Sequence, residues 1–196
     1  MNNFRFTDEF VKDLYQTNIK AGVDVMEFGY KADKEMFDVK DFGKWKFCDD
    51  EDIRAVVGDN NTDLKIAVMA DVGRCNYKQD IKPRAESPVD VIRVATYINQ
   101  IPAAVDVIED AVAKGYEVTC NIMAISNAQE ADIRVALDLL GKSPVNVIYI
   151  VDSFGALFPE QIARIAALYG EYAAKYGKKL GIHAHNNPVS YTHLTL

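Results

Sequence analysis

Two histidines, His183 and His185, stand one residue apart at the end of the apolar run KLGIHAH. Residues i and i+2 of a strand face the same side of a sheet, so the two imidazoles can converge on one point. Two imidazoles with a third ligand, commonly a carboxylate, form a metal site that leaves positions open for a substrate. The spacing therefore favours a metal site, and a hydrogen-bonded histidine pair at a strand end is the alternative.

Polar residues also stand near the ends of the other apolar runs, and they are Glu27, Asp71, Arg93, Thr96, Asn121, Asp152 and Ser153. A ring of polar groups at the carboxyl ends of many parallel strands is how a β/α barrel builds its active site. An open doubly wound sheet concentrates such groups at one switch point, so the wide distribution favours the barrel. Two bland alternatives remain open: Asp152 as a structural hydrogen-bonding group, and Arg93 as a partner in an ion pair at the barrel rim.

Six short β-branched runs supply the strands that would carry these residues. Each run is mostly apolar rather than alternating, which is typical of parallel strands buried on both faces. The predicted strands cover residues 23–29, 64–72, 89–97, 116–125, 145–153 and 179–185. Helical patterns lie between most of them, and this alternation predicts a parallel α/β sheet.

Four segments carry the end signals of helices, and they cover residues 7–22, 102–115, 127–141 and 159–177. Thr7 is the predicted N-cap of the first helix, and Asn127 with Glu130 has the spacing of a capping box in the third. The longest connection, 30–63, is predicted to be a loop on the active face. Trp45 and Phe47 in this loop either cover a ligand or pin the loop to the barrel.

Length and composition exclude several classes of function. The chain has 196 residues, enough for one substantial core, and its 49% hydrophobic and 26% charged residues argue against disorder. A net charge of −7 gives no basic surface for nucleic acid or an anionic membrane. The N-terminal segment does not have the pattern of a signal peptide, no apolar run is long enough to span a bilayer, and the three cysteines are widely spaced. We therefore expect a reduced, cytoplasmic protein.

A family resemblance becomes visible when these runs are taken together. GIHAHNN, the preceding NVIYIVDSFGALFPEQI and the early VDVMEFGY resemble the metal-dependent lyase family. That family includes hydroxymethylglutaryl-CoA lyase, the isopropylmalate and homocitrate synthases and 4-hydroxy-2-oxovalerate aldolase. IRVATY followed by AVAKGYEVTCNIMAIS is most similar to the aldolase branch. The most specific part is the H-x-H-N strand combined with V-D-S-x-G one unit earlier.

The resemblance implies a fold and a set of site residues. The fold is a (β/α)8 TIM barrel, of which residues 1–187 would supply about strands two to seven. His183 and His185 would bind a divalent ion, Mn²⁺ or Mg²⁺. The predicted catalytic residues are Glu27, Arg93, Asp152 and Ser153, each of which matches a polar position at the end of a strand.

The resemblance also implies a chemistry. We expect a metal-dependent aldolase, a carbon–carbon lyase acting next to a 2-oxo acid through pyruvate enolate chemistry, with that small molecule as its substrate. For the whole protein, the resemblance implies a homo-oligomer or an aldehyde dehydrogenase partner. It implies binding to neither nucleic acid nor a membrane. The alternatives are a Claisen-type synthase that condenses an acyl-CoA, and a non-catalytic barrel or binding module. A nucleotide-binding oxidoreductase is disfavoured because no G-x-G-x-x-G follows any predicted strand.

The sequence departs from the family pattern at both ends. The family's first strand ends in an Arg-Asp pair that supplies the metal-binding carboxylate and an arginine, and no such dipeptide occurs in this chain. After HAHNN the chain shows no helical stripe, and VSYTHLTL resembles the translation of a sequencing-library adapter. Residues 188–196 are therefore predicted to be a non-native tail. The sequence predicts a fragment that lacks the first and last strands and is inactive alone.

Overall fold

The computed structural model describes residues 2–185, in which strands and helices alternate along the chain. The strands are β1 (Val25–Tyr30), β2 (Lys65–Asp71), β3 (Val91–Thr96), β4 (Glu117–Ile122), β5 (Val147–Asp152) and β6 (Lys179–Ala184). The helices are α1 (Asp8–Ala21), α2 (Asp50–Val57), the short α3 (Tyr77–Asp80), α4 (Ile101–Ala113), α5 (Glu130–Lys142) and α6 (Pro159–Tyr176). All six predicted strands are thus confirmed, each with ends within three residues of the prediction.

The strands form one sheet in the order β1-β2-β3-β4-β5-β6. The pairs β1–β2, β4–β5 and β5–β6 are parallel. Consecutive order is the arrangement found in β/α barrels, whereas an open doubly wound sheet requires a reversal of strand order. The predicted parallel α/β class is confirmed, and the strand order is the one that the barrel prediction requires.

Two compact units divide the chain. Unit 1 comprises the residues up to Arg93 together with Asp110–Glu117, and its strands β1 and β2 carry buried side chains such as Ile66 and Val68. Unit 2 comprises Val94–Glu109 and the residues from Val118 onward. Its core contains the buried Leu137 of helix α5.

Helix ends follow the predicted capping chemistry in the first helix but not in the third. The hydroxyl of Thr7 accepts a hydrogen bond from the Phe10 amide at 3.2 Å, which confirms Thr7 as the N-cap of α1. The capping box predicted for the third helix is wrong. Asn127 lies in a separate 3₁₀ turn, and α5 begins at Glu130 after Gln129, which makes no side-chain cap. The Glu130 carboxylate is occupied instead, since it accepts hydrogen bonds from Arg134.

The connection predicted as a long loop, 30–63, contains a helix that the sequence reasoning missed. Helix α2 begins with acidic residues and buries its apolar residues Ile53, Val56 and Val57. That i, i+3, i+4 spacing after an acidic first turn was the available signal. The helix divides the connection into two irregular segments, residues 58–64 and the longer segment 31–49, which we call the β1–α2 loop.

Aromatic side chains fix the β1–α2 loop in place. Trp45 is 1% exposed and Phe47 is 5% exposed, so neither lies on a surface where it can cover a ligand. The indole N–H of Trp45 donates to the carbonyl oxygen of Phe6 at 3.1 Å. Of the two interpretations of these residues, pinning of the loop is therefore the one that the structure supports.

Buried polar groups also hold the β1–α2 loop in place. The ammonium of Lys31 lies 2.9 Å from Asp50 Oδ1, and both side chains are almost completely buried. The Ser87 hydroxyl donates to the same oxygen at 3.1 Å. A buried pair of this kind is strongly destabilising to break, because the remaining charge has no partner.

Three remaining predictions concern the chain ends, membranes and thiols. Asn186, Asn187 and the predicted tail 188–196 lie outside the described residues. No helix between residues 2 and 185 is both long and apolar enough to cross a membrane. Cys120 is buried as predicted, and burial raises the pKa of its thiol to about 12. Burial likewise raises the pKa of the half-buried Cys75 to about 12, which disfavours the reactive thiolate form.

Candidate functional site

The last described strand, in unit 2, positions the two histidines. Parallel pairing of β6 with β5 sets His183 beside Val151 and Ala184 beside Asp152, and His185 follows the strand directly. The centroids of the two imidazole rings are 4.7 Å apart, with 38° between the ring planes. The predicted convergence of the two rings is therefore present.

One hydrogen bond orients the second imidazole. His185 Nδ1 lies 2.9 Å from the main-chain carbonyl oxygen of Asp152. Because a carbonyl oxygen can only accept, Nδ1 must carry the proton in this contact. In the neutral ring Nε2 then has the free lone pair, and such a backbone contact is how many metal-binding histidines are held in the ligand tautomer.

The donor set around these rings is incomplete among the described residues. No group of three or more His, Cys, Asp or Glu side chains between residues 2 and 185 is arranged to hold a metal ion. Two convergent imidazoles fit two of the ligand positions that a divalent ion requires. The assignment of His183 and His185 as metal ligands stays a prediction.

Asp152 holds the loop that follows β5. Its side chain is buried, and its two oxygens accept from the amides of Ala156 at 3.1 Å and Leu157 at 3.0 Å. Both oxygens are thus engaged by backbone donors within the next turn of chain. This geometry supports the structural alternative for Asp152, although its main-chain oxygen also orients His185.

Ser153 performs a similar task for the neighbouring turn. Its hydroxyl oxygen accepts from the Ala124 amide at 2.9 Å. Ala124 follows β4 and has a φ of 53°, a left-handed conformation that costs a residue with a Cβ about 1–2 kcal/mol. The hydrogen bond stabilises that strained turn, so in the structure Ser153 is a group that positions the backbone.

Glu27 and Arg93 form an ion pair in unit 1. Arg93 Nη1 lies 2.5 Å from Glu27 Oε2, and the two side chains are 17% and 28% exposed. Burial raises the pKa of the Glu27 carboxyl, and the attraction of Arg93 opposes this shift only in part. The ion pair considered for Arg93 is present, but the predicted strand-end positions are wrong, since Glu27 and Arg93 lie in the middle of β1 and β3. A contact of either residue with substrate stays a prediction.

Unit 1 contains a second cluster of titratable groups, and the sequence did not predict that these residues come together. Burial raises the pKa of Tyr30, at the end of β1, and of Asp71, at the end of β2. Burial lowers the pKa of Lys46, in the β1–α2 loop. Perturbed groups at strand ends are characteristic of functional sites. The only sequence signal was the alternation of cations and aromatics in KWKF.

Unit 2 also contains a cavity of about 300 Å³. Ile125, Ile133, Leu157 and Leu168 form its apolar part, and Arg164 stands among its polar residues. None of the predicted catalytic or metal-binding residues lines it. The cavity therefore gives no support to their assignment.

Comparison with known proteins identifies relatives of one kind. No protein-family model matches the chain. A 4-hydroxy-2-oxovalerate aldolase of Roseiflexus castenholzii is 27% identical over 184 residues, which is 93% of this chain and 52% of that protein. The enzyme of the same name from Bacillus cereus shows 27% identity over the same shares. The chain thus spans about half the length of the curated relatives that it matches.

A solved structure supports the fold. The N-terminal domain of a protein from Bacteroides vulgatus, assigned as an aldolase, superposes with a TM-score of 0.68 at 23% identity. The match covers 93% of this chain and 59% of that domain. The sequence relatives confirm the resemblance drawn from the H-x-H-N and V-D-S-x-G motifs, because the chain is similar to enzymes named 4-hydroxy-2-oxovalerate aldolase.

Proposed function

We propose that the protein is a divalent-metal-dependent aldolase that cleaves or forms a carbon–carbon bond next to a 2-oxo acid. The observation that carries the proposal is the pair His183 and His185, whose rings converge and of which the second is held in the ligand tautomer. The aldolase names of the relatives supply the reaction class. We further propose that β1–β6 correspond to strands two to seven of an eight-stranded barrel.

Each residue then has a defined task in the proposed site. His183 and His185 would hold the ion through ring nitrogens, and the Asp152 carbonyl oxygen keeps His185 oriented. A bound Mn²⁺ or Mg²⁺ would act as a Lewis acid for a 2-oxo acid. Asp152 and Ser153 hold the backbone turns beside the histidines through their side-chain oxygens.

The Glu27–Arg93 pair supplies a further charged group, from the middle of strands β1 and β3. A positioned guanidinium stabilises negative charge that develops on a substrate. Glu27 holds the guanidinium in place through its carboxylate. In the proposed function Arg93 acts on the anionic substrate and Glu27 is a positioning residue.

Metal binding is the first test, because it needs no catalytic turnover. Titration with Mn²⁺, followed by electron paramagnetic resonance, would be carried out on the wild-type chain and on His183→Ala and His185→Ala. We expect each substitution to weaken Mn²⁺ binding by at least about tenfold, since one of few ligands is lost. His193→Ala is the matched control, because His193 falls in the predicted tail, and we expect it to bind Mn²⁺ like the wild type.

Unchanged Mn²⁺ binding in both His183→Ala and His185→Ala would remove the metal assignment. Release of pyruvate from 4-hydroxy-2-oxovalerate by the whole protein, measured with and without Mn²⁺, then tests the reaction class separately, because residues 1–196 alone are expected to be inactive. No observation favours a Claisen-type synthase or a non-catalytic barrel, since the relatives named above are aldolases. A homo-oligomer and an aldehyde dehydrogenase partner remain predictions.

A further inference from the structure

The ammonium of Lys46 is surrounded by aromatic rings in unit 1. Its Nζ lies 4.5 Å from the ring centroid of Phe37, 4.6 Å from Tyr30, 5.2 Å from Phe4 and 5.7 Å from Phe42. We call these five residues the Lys46 enclosure. Rings at such distances attract a cation through the negative charge of their faces. The ring faces offer no lone pair to the three N–H donors of the ammonium, and between residues 2 and 185 no hydrogen bond joins Nζ to the Tyr30 hydroxyl.

Lys46 differs in this respect from comparable lysines. In residues 2–185 the other lysines that are buried or half-buried all have an oxygen acceptor at 2.6–2.9 Å, and they are Lys31, Lys44, Lys114 and Lys178. Among the same residues, no ion pair and no hydrogen bond satisfies the half-buried Nζ of Lys46. A half-buried cation without an acceptor is costly unless water or a ligand supplies one.

The charges around the enclosure favour an anion as that ligand. Arg74 lies close enough to lower the pKa of Lys46, while Asp71 raises it and burial is the largest influence. Arg74 Nη1 is 3.7 Å from Asp71 Oδ2, which is beyond hydrogen-bond distance. Asp71 is thus the one carboxylate among the charges that shift the Lys46 pKa, and it stands against the two cations Lys46 and Arg74. The local excess of positive charge attracts anions.

The position of the enclosure is also that of a binding site. Tyr30 ends β1, and Asp71 ends β2, so the group lies at the carboxyl ends of two adjacent parallel strands. Ligands of parallel α/β folds bind at that edge of the sheet.

We propose that Lys46 and Arg74 form a binding site for a small oxyanion, either a carboxylate or a phosphate, walled by the aromatic rings of the Lys46 enclosure. An oxyanion supplies the acceptors that Nζ lacks, and charge-assisted hydrogen bonds of this kind are strong. The rings restrict access of water to the ammonium, which strengthens its attraction for the anion. The site needs neither the histidines nor a metal ion, so it does not depend on the proposed aldolase activity.

Competitive labelling of lysines tests this site on the wild-type chain. The amines are modified with trinitrobenzenesulfonate in the presence of inorganic phosphate, pyruvate or sodium chloride at matched ionic strength, and each lysine is followed by peptide mass spectrometry. We expect phosphate or pyruvate at ten times its dissociation constant to slow the labelling of Lys46 by about tenfold. Lys34 is the internal control, because its ammonium lies 5.8 Å from the Phe47 ring but already has Asp49 at 2.6 Å.

The outcome separates the possible anions from simple screening. Stronger protection by pyruvate assigns the site to a carboxylate, and stronger protection by phosphate assigns it to a phosphate group. Protection by neither anion, or equal protection by chloride, overturns the proposal.

Substitutions give an independent measurement of the same site. We expect Lys46→Met to weaken binding of the protecting anion, measured by calorimetry, by at least about tenfold, and the matched Lys34→Met to leave it unchanged. Lys46→Arg keeps the charge and should retain measurable binding. Wild-type affinity in a folded Lys46→Met variant contradicts the proposal, and the labelling experiment decides the question if that variant does not fold.

Discussion

At the scale of single residues, Asp152 shows how a strand-end carboxylate can serve structure. Both of its oxygens accept backbone amides, from Ala156 and Leu157. In Asp152→Asn an amide NH₂ replaces one acceptor and faces a backbone N–H donor. We expect the free energy of unfolding to fall by about 1–3 kcal/mol, as for other buried groups left unsatisfied. Urea denaturation followed by circular dichroism measures this loss.

Asp106→Asn is the matched control for that substitution. Asp106 is an exposed aspartate on helix α4 in the same unit, and its change should alter stability by less than about 0.5 kcal/mol. If Asp152→Asn abolished Mn²⁺ binding but left stability unchanged, the catalytic interpretation of Asp152 would replace the structural one.

Glu27 makes stability depend on pH in a direction that can be predicted. Burial raises its pKa above the ordinary value of 4.5, so the folded state holds the proton more tightly than the unfolded chain does. The stabilising contribution is therefore fully present below the unfolded pKa and is lost as pH rises through the folded pKa. Glu27→Gln cannot ionise and lacks this dependence.

The measurement is the difference in unfolding free energy between wild type and Glu27→Gln, obtained from urea denaturation between about pH 4 and pH 7. Subtraction cancels the other carboxyls with raised pKa values, such as Asp71 and Asp80. We expect the stability of the wild type relative to the variant to decrease as pH rises. A relative stability that increases instead would mean that the ion pair with Arg93 outweighs burial.

At the scale of elements, a glycine in strand β1 permits the close approach of the β1–α2 loop. A Cβ added at Gly29 would lie 2.0 Å from the carbonyl oxygen of Trp45 and 3.0 Å from Cys48 Sγ. The carbonyl oxygen belongs to the backbone, so the loop itself would have to move. We expect Gly29→Ala to lower the free energy of unfolding by about 1–3 kcal/mol, as overpacking does elsewhere.

Gly170→Ala provides the contrasting control for Gly29. Gly170 lies inside helix α6, and a Cβ there would meet no atom within 4 Å. Because alanine favours helices more than glycine does, this variant should gain roughly 0.5–1 kcal/mol. Thermal melts of both variants check the pair, and equal effects of the two substitutions would contradict the close-approach argument.

The strands and helices also show which elements can be predicted from the sequence and which cannot. The strands were predictable because buried parallel strands give long apolar runs, as in VNVIYIV. Helix α2 was missed because it has only eight residues and its apolar stripe is short. The capping box at Asn127 failed because a 3₁₀ turn, which no periodicity marks, intervenes before α5. Short local signals are thus overridden by the turn that the tertiary structure selects.

At the scale of the whole molecule, one part of the candidate site was predictable from the sequence and another part was not. The convergence of His183 and His185 was predictable, because alternation along a strand fixes which side chains share a face. The Lys46 enclosure was not predictable. Its rings come from Phe4, Tyr30 and the β1–α2 loop, and these positions follow no regular spacing along the sequence. Contacts of irregular segments depend on how a loop folds back, and sequence spacing does not encode that path.

The surface of strand β6 predicts how the molecule behaves in solution. Leu180 is 38% exposed and Ile182 is 54% exposed, and among residues 2–185 this strand pairs with β5 alone. An apolar strand with an edge that no described strand covers favours pairing with another chain. We therefore expect the apparent mass in size-exclusion chromatography with light scattering to exceed 21.9 kDa and to rise with protein concentration.

A charge on that strand should suppress the association, because burying a lysine between paired chains is costly. Ile182→Lys is expected to shift the apparent mass toward that of the monomer at every concentration. Val135→Lys is the matched control, since Val135 is 62% exposed but lies on helix α5, which offers no strand edge. If both substitutions reduced association equally, general hydrophobicity would be the cause, and a concentration-independent monomeric wild type would show that the β6 surface does not pair at all.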